Sequence, residues 1–174
     1  MSPPESILIT GGAGFVGSSL ALHLKNNLPR ARVVCMDNLY RRGSELNLPR
    51  LQAAGIEFIK GDIRHAQGFP SGPFEFIIEC SAEPSVLAGY GESPDYLMET
   101  NLMGTYRCLE KAREWKSKTI FLSTSRVYPI SVLEKHPWTE QPTRFAWNDV
   151  SGESISSRGV NEKCPMNAGR SLYG

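Results

Sequence analysis

Residues 7–17, Ile-Leu-Ile-Thr-Gly-Gly-Ala-Gly-Phe-Val-Gly, constrain the fold of this chain more than any other stretch. Ile7 to Ile9 is a short apolar run that reads as a buried parallel strand. It ends in a turn carrying Gly11, Gly12, Gly14 and Gly17, and a helical pattern begins at once. The spacing satisfies Gly-x-Gly-x-x-Gly through Gly12, Gly14 and Gly17, and Gly-x-x-Gly-x-x-Gly through Gly11, Gly14 and Gly17. Either register serves the same need: a tight turn at positive φ, bare backbone for a pyrophosphate, and close packing of helix on strand. The N–H groups at the start of that helix, including those of Phe15 and Val16, would face the phosphates with the positive end of the helix dipole behind them. A glycine triplet alone is weak evidence. The strand before it, the helix after it and Asp37, 20 residues beyond Gly17, supply the context the motif requires.

The rest of the chain alternates strand and helix patterns, as an α/β fold with a parallel sheet demands. A helix is expected from Gly14 to Asn27, with Val16, Leu20, Leu24 and Leu28 packed on the sheet and Pro29 ending it. A second strand, Arg32 to Met36, delivers Asp37 and Asn38. A carboxylate at Asp37 can accept both ribose hydroxyls of an adenosine and would repel a 2′-phosphate, although Arg41 and Arg42 nearby could accept one; the alternative for Asp37 is a turn cap. A helix within 44–54 would start near Pro49. A third strand, Ile56 to Lys60, leads to Gly61-Asp62-Ile63-Arg64, where Asp62 reads either as an acceptor for the adenine amine or as a turn residue. A fourth strand, Phe74 to Cys80, runs into Ser81-Ala82-Glu83, small residues suited to passing a cofactor. A long helix from Pro94 to Trp115, carrying Leu97, Leu102, Tyr106 and Leu109, holds Asn101, a polar amide that must find partners if it faces the sheet. A fifth strand, Ile120 to Leu122, opens onto Ser123-Thr124-Ser125-Arg126-Val127-Tyr128, hydroxyls at a strand end where ligands of such sheets sit. From Pro129 to Arg170 the periodicity dissolves into an irregular segment of the kind that is functional or disordered.

Composition narrows the partners. The 19 basic and 18 acidic residues nearly cancel, which argues against a nucleic-acid or membrane surface. No apolar run approaches the roughly 20 residues that span a bilayer, and Met-Ser-Pro-Pro-Glu at the start lacks the features of a signal peptide. Cys35, Cys80, Cys108 and Cys164 are scattered without a Cys-x-x-Cys pair or a nearby His, so unpaired thiols in a cytoplasmic setting are expected, and no metal site.

Six motifs, taken in order, resemble the extended short-chain dehydrogenase/reductase family, the NAD-dependent nucleotide-sugar epimerases and dehydratases. They are residues 10–17, Asp-Asn-Leu at 37–39, Gly-Asp-Ile-Arg at 61–64, Asn-Leu-Met-Gly-Thr at 101–105, Ser-Thr-Ser-Arg-Val-Tyr at 123–128 and Tyr-Gly at 173–174. The resemblance implies a Rossmann-type doubly wound parallel sheet in three layers, α/β/α, with residues 1–174 forming one NAD-binding domain. It implies NAD as cofactor, held by Gly11, Gly14, Phe15, Val16, Gly17, Asp37, Asn38, Asp62, Ile63, Ser81, Ala82, Asn101, Ser123 and Tyr173. It places Thr124 and Tyr173 on the catalytic Ser/Thr and Tyr. The family's Lys would fall at position 177, beyond the last residue given. The resemblance therefore implies an amino-terminal portion, ending before the last strands and a substrate-binding region, and inactive alone. A nucleotide-diphosphate sugar is the implied substrate, and a homo-oligomer is compatible with it.

Within that family, residues 37–44 and the long segment between Thr124 and Tyr173 look most like the CDP-paratose 2-epimerases. The 4,6-dehydratases carry Asp-Glu after the catalytic Thr, where this chain has Ser125-Arg126, so the resemblance disfavours dehydration. UDP-glucose 4-epimerases, a non-catalytic dinucleotide-binding module and an NADP-linked reductase are the other readings. In the implied chemistry, Thr124 orients a sugar hydroxyl and Tyr173 removes its proton. A free Tyr titrates near about 10, so a neighbouring cation is needed to make the phenolate available at neutral pH.

Overall fold

β1 (Ser6–Thr10) lies at the centre of a five-stranded, all-parallel sheet and sets its register. On one side it pairs with β2 (Arg32–Asp37), Ile7 opposite Val33 and Ile9 opposite Cys35. On the other it pairs with β4 (Phe76–Glu79), Ile7 opposite Phe76 and Thr10 opposite Glu79. β3 (Glu57–Lys60) and β5 (Lys118–Phe121) are the two edges, giving the order β3-β2-β1-β4-β5. The computed structural model describes residues 3–85, 87–124, 127–148, 152–156 and 158–166, and the chain divides into two units, 1–122 and 123–174.

Side chains alternate across the strands, and each face of the sheet buries its own cluster. Ile7, Ile9, Val33, Cys35 and Ile78 pack toward α1 (Phe15–Asn27) and α2 (Leu48–Ala53) through Ala21 and Leu51. Leu8, Val34, Met36 and Ile77 pack on the opposite face with Cys108 and Ala112 of α4 (Thr105–Trp115). This is the expected Rossmann-type, three-layer α/β/α architecture. Where a strand is covered on both faces it reads as one apolar run, which is why β1 and β2 were visible in the sequence.

Three local expectations need correction. Val16 does not face the sheet; it is 46% exposed, and the buried residues of α1 are Gly17, Ser18 and Ala21. The helix starts so close to the strand end that only small side chains fit between them. The expected single helix over 94–115 is three pieces: α3 (Asp95–Met98), a π-helical stretch (Glu99–Gly104) and α4. The wider turn of the π stretch shifts the phase of the pattern. Leu102, Tyr106 and Leu109 consequently point to solvent, while Leu97, Thr100, Gly104, Cys108 and Ala112 are buried.

The third correction concerns 129–170, expected as irregular. The second unit contains α5 (Ile130–Leu133) and a hairpin of β6 (Trp138–Gln141) and β7 (Arg144–Trp147), joined by Pro142-Thr143. A short pairing of β8 (Ile155–Ser156) with β9 (Gly159–Val160) follows. Trp138 packs edge-on against Phe145 with ring centroids 4.9 Å apart, a diagonal cross-strand pair that fastens the hairpin. Among the described residues no helix is long and apolar enough to cross a membrane.

Candidate dinucleotide site

The sheet reverses its winding at β1: the chain moves outward to β2 and β3, then returns past β1 to β4 and β5. Loops leaving β1 and β4 therefore diverge and leave a crevice beyond the carboxyl ends of the strands. That crevice is lined by Gly11 and Gly14 from the first loop, Asp37, Asn38, Tyr40 and Arg41 from the second, Asp62 and Ile63 from the third, and Ser81 to Pro84 from the fourth.

Glycine is structurally required in its floor. Gly11 has φ +63°, and a Cβ there would lie 2.6 Å from the Cys80 carbonyl oxygen. At Gly17 a Cβ would lie 2.2 Å from the Gly11 carbonyl oxygen, so the first turn of α1 can rest on the loop only without a side chain. Gly14 is the N-cap residue of α1, its N–H donating to the Gly11 carbonyl at 3.0 Å. With no capping side chain and no acidic residue in the first turn, the opening N–H groups of this 13-residue helix are left for an external acceptor. Phe15 and Val16 head the helix with exposed side chains.

Asp37 ends β2 beside this turn. Its carboxylate accepts from the Ala13 N–H at 3.1 Å and the Leu39 N–H at 2.8 Å. A carboxylate offers about four acceptor positions, so capacity remains for a diol. The turn-cap reading is thus seen directly, and the same side chain also lines the crevice. Asn47, which sequence reasoning missed, secures the same turn by donating from Nδ2 to the Ala13 carbonyl at 2.7 Å.

Asp62 is more committed than expected. It accepts from Asn38 Nδ2 at 3.0 Å and from Arg64 through Nε and Nη2, the latter at 2.7 Å. Burial alone would raise its carboxyl, yet the hydrogen bonds from Arg64 and Asn38 outweigh that and hold it at about 2. It is an ionised anchor between two loops.

Asn101 lies in the π stretch, a feature often found at functional positions. Its Oδ1 accepts from the Glu83 N–H at 2.8 Å and its Nδ2 donates to the Glu83 carbonyl at 3.1 Å. The half-buried amide thus finds its partners in the backbone of the crevice wall and fixes it. Behind Ser81 sits Glu79, 2% exposed, accepting from Thr105 Oγ1 at 3.3 Å. Its Oε1 has no hydrogen-bond partner among the described residues. Burial pushes this carboxyl up to about 7. Cys35, Cys80 and Cys108 are pushed up to about 12 by burial, which makes them unreactive packing groups.

The structure therefore gathers Gly11, Gly14, Asp37, Asn38, Asp62, Ile63, Ser81 and Ala82 around one crevice, with Gly17 and Asn101 supporting its walls. Ser123 and Thr124 follow β5 in the second unit, both exposed, and Tyr173 lies outside the described residues. The residues in the crevice suit a dinucleotide: open helix N–H groups for a pyrophosphate, a carboxylate for a ribose diol, and no side chain where the backbone must approach.

Comparison with known proteins agrees. Residues 7–148 match the sequence profile of the NAD dependent epimerase/dehydratase family. The chain is 30% identical to a dTDP-D-glucose 4,6-dehydratase of Dictyostelium discoideum over 94% of its own length and 36% of the relative's. It is 32% identical to a CDP-paratose 2-epimerase of Salmonella typhi over 82% of its length and 43% of that protein's. Its fold matches the UDP-glucuronic acid 4-epimerase of Bacillus cereus, solved with NAD and a fluorinated UDP-sugar, at a TM-score of 0.62 and 28% identity, covering 71% of this chain and 41% of that one. The chain thus spans roughly two fifths of the length of the proteins it matches. Crevice, glycine turn and sequence agree, and the chain belongs to the NAD dependent epimerase/dehydratase family.

Proposed function

We propose that residues 1–174 are the NAD-binding portion of a nucleotide-sugar epimerase that acts by transient oxidation and re-reduction of one sugar carbon, most like the CDP-paratose 2-epimerases. The observation that carries this reading is the convergence of the Gly11–Gly14 turn, the uncapped start of α1 and Asp37 in one crevice at the switch point of the sheet. The turn and the N–H groups of Phe15 and Val16 hold the pyrophosphate, and Asp37 holds the adenosine ribose. Asn38, Asp62 and Ile63 form the base end. Ser81 and Ala82 border the phosphates, and Asn101 keeps that border in place.

NAD, when bound, supplies a reversible hydride acceptor, so a stereocentre can invert without an outside redox partner. The chain's own contribution is position and proton transfer. Thr124 orients a sugar hydroxyl, Tyr173 takes and returns its proton, and Ser123 supports the nicotinamide end. The CDP-paratose reading is supported by the likeness to the Salmonella typhi enzyme and by Ser125-Arg126, which replace the Asp-Glu pair of dehydratases. A nucleotide-diphosphate sugar is then the partner, in a cytoplasmic protein compatible with a homo-oligomer.

Calorimetric titration with NAD and NADP tests the reading. NAD should bind at least about tenfold more tightly, because a 2′-phosphate would meet the Asp37 carboxylate. Absence of NAD binding would overturn the proposal. Tighter NADP binding would favour an NADP-linked reductase, the second reading, which Arg41 on the same wall supports.

A further inference from the structure

Tyr40 is 64% exposed, yet its position is fixed. Its N–H donates to Asn38 Oδ1 at 2.9 Å, and the preceding Leu39 N–H donates to Asp37 Oδ1 at 2.8 Å. Leu39 itself is held at φ +57°, a conformation a leucine adopts at a cost and one that tends to persist where function requires it. The Tyr40 ring stacks on Tyr96 of α3 with centroids 4.4 Å apart and planes 27° apart. The Arg64 guanidinium lies over the same Tyr96 ring at 4.7 Å. Tyr96 thus holds the Tyr40 ring and the Arg64 guanidinium at once. Arg64 is pinned in turn by Asp62. The result is a fixed cluster of guanidinium and two rings that leaves an open aromatic face on Tyr40, within a crevice also lined by Asp37 and Tyr96.

We infer that this open face of Tyr40 is the platform on which the adenine of the bound dinucleotide stacks, and that ring contact rather than the Asp62 carboxylate gives the base its main hold. The inference rests on the dinucleotide reading above. Asp37, three residues earlier on the same pinned loop, is the ribose acceptor of that reading, which places the attached base within reach of the loop. The Asp62 oxygens already serve Asn38 and Arg64. A rigid aromatic platform loses little conformational freedom when a planar base settles on it.

The test uses ADP-ribose, which carries the adenosine half without the nicotinamide, titrated into the 174-residue chain by calorimetry and by intrinsic tyrosine fluorescence. Tyr40→Leu should weaken ADP-ribose binding about tenfold or more and reduce the fluorescence quench. Tyr40→Phe, which keeps the ring, should stay within about twofold of the parent. UDP and CDP, which lack adenine, should bind Tyr40→Leu and the parent alike. Because Tyr40 is exposed, urea unfolding midpoints of both variants should match the parent and exclude a folding defect.

Unchanged ADP-ribose affinity in Tyr40→Leu would overturn the inference, as would an equal loss in Tyr40→Phe, which would assign the effect to the hydroxyl. A selective loss of UDP or CDP binding would give the platform to the sugar nucleotide instead and overturn it too. If the parent chain binds no ADP-ribose, the dinucleotide reading itself fails and takes this inference with it.

Discussion

Replacing Glu79 with glutamine should stabilise the chain at alkaline pH and leave it nearly unchanged in acid. Glu79 is 2% exposed at the carboxyl end of β4, with Thr105 Oγ1 on Oε2 and no partner for Oε1 among the described residues. Among the described residues, the titratable groups that interact with it are the thiols of Cys80 and Cys108. Burial raises its carboxyl from 4.5 to about 7. A folded-state value above the unfolded one means that the native state holds the proton more tightly. The associated stability is therefore complete below pH 4.5 and is lost as pH rises through about 7. At 1.36 kcal/mol per pH unit the full loss is about 3 kcal/mol, most of it between pH 5 and pH 8.5. Glutamine keeps the shape and the acceptor for Thr105 but cannot ionise, so the gap between variant and parent should widen in the variant's favour by that amount. Urea unfolding of both proteins at the two pH values measures it. A gap that is equal at both, or that widens toward acid, would refute burial as the cause.

Other elements make equally concrete demands. Gly17→Ala places a methyl 2.2 Å from the Gly11 carbonyl oxygen and should cost about 1–3 kcal/mol in urea unfolding, with loss of NAD binding. Asn101→Ala frees both polar groups of Glu83. It should cost about 1–3 kcal/mol and speed hydrogen exchange at the Glu83 amide. Asp62, held at about 2 against an ordinary 3.8, contributes stability present above pH 3.8 and lost as pH falls through about 2. A carbon-13 titration of its carboxyl should show that low midpoint, and Arg64→Ala should move it upward.

The glycine turn, Asp37 and the strands β1 and β2 could be read in the sequence because each answers to one local cause: conformational freedom at Gly11, acceptor chemistry at a strand end, or burial on both faces. What was missed depends on tertiary neighbours. Val16 lost its place on the sheet because Gly11 and Gly17 bring α1 so close that Ser18 and Ala21 fill the space. Leu102, Tyr106 and Leu109 looked like a core stripe because a uniform helical period ignores the π turn at Glu99–Gly104. The signal of that turn was the run of small or polar residues at Thr100, Asn101, Gly104 and Thr105. The hairpin of β6 and β7 was hidden by charged residues, although Pro142-Thr143 between Trp138 and Trp147 is a turn between aromatic strands. The cluster of Tyr40, Tyr96 and Arg64 joins two loops and α3, far apart in sequence, and no local pattern announces it.

The most direct test of the central claim, that the glycine turn and Asp37 form an NAD site, is a proton–nitrogen NMR map of the chain titrated with NAD. Saturable shifts should centre on the amides of Gly11, Gly12, Ala13, Gly14, Phe15 and Val16, with further shifts at Asn38, Leu39, Ser81 and Ala82. Shifts confined to other residues, or none at saturating NAD, would contradict it.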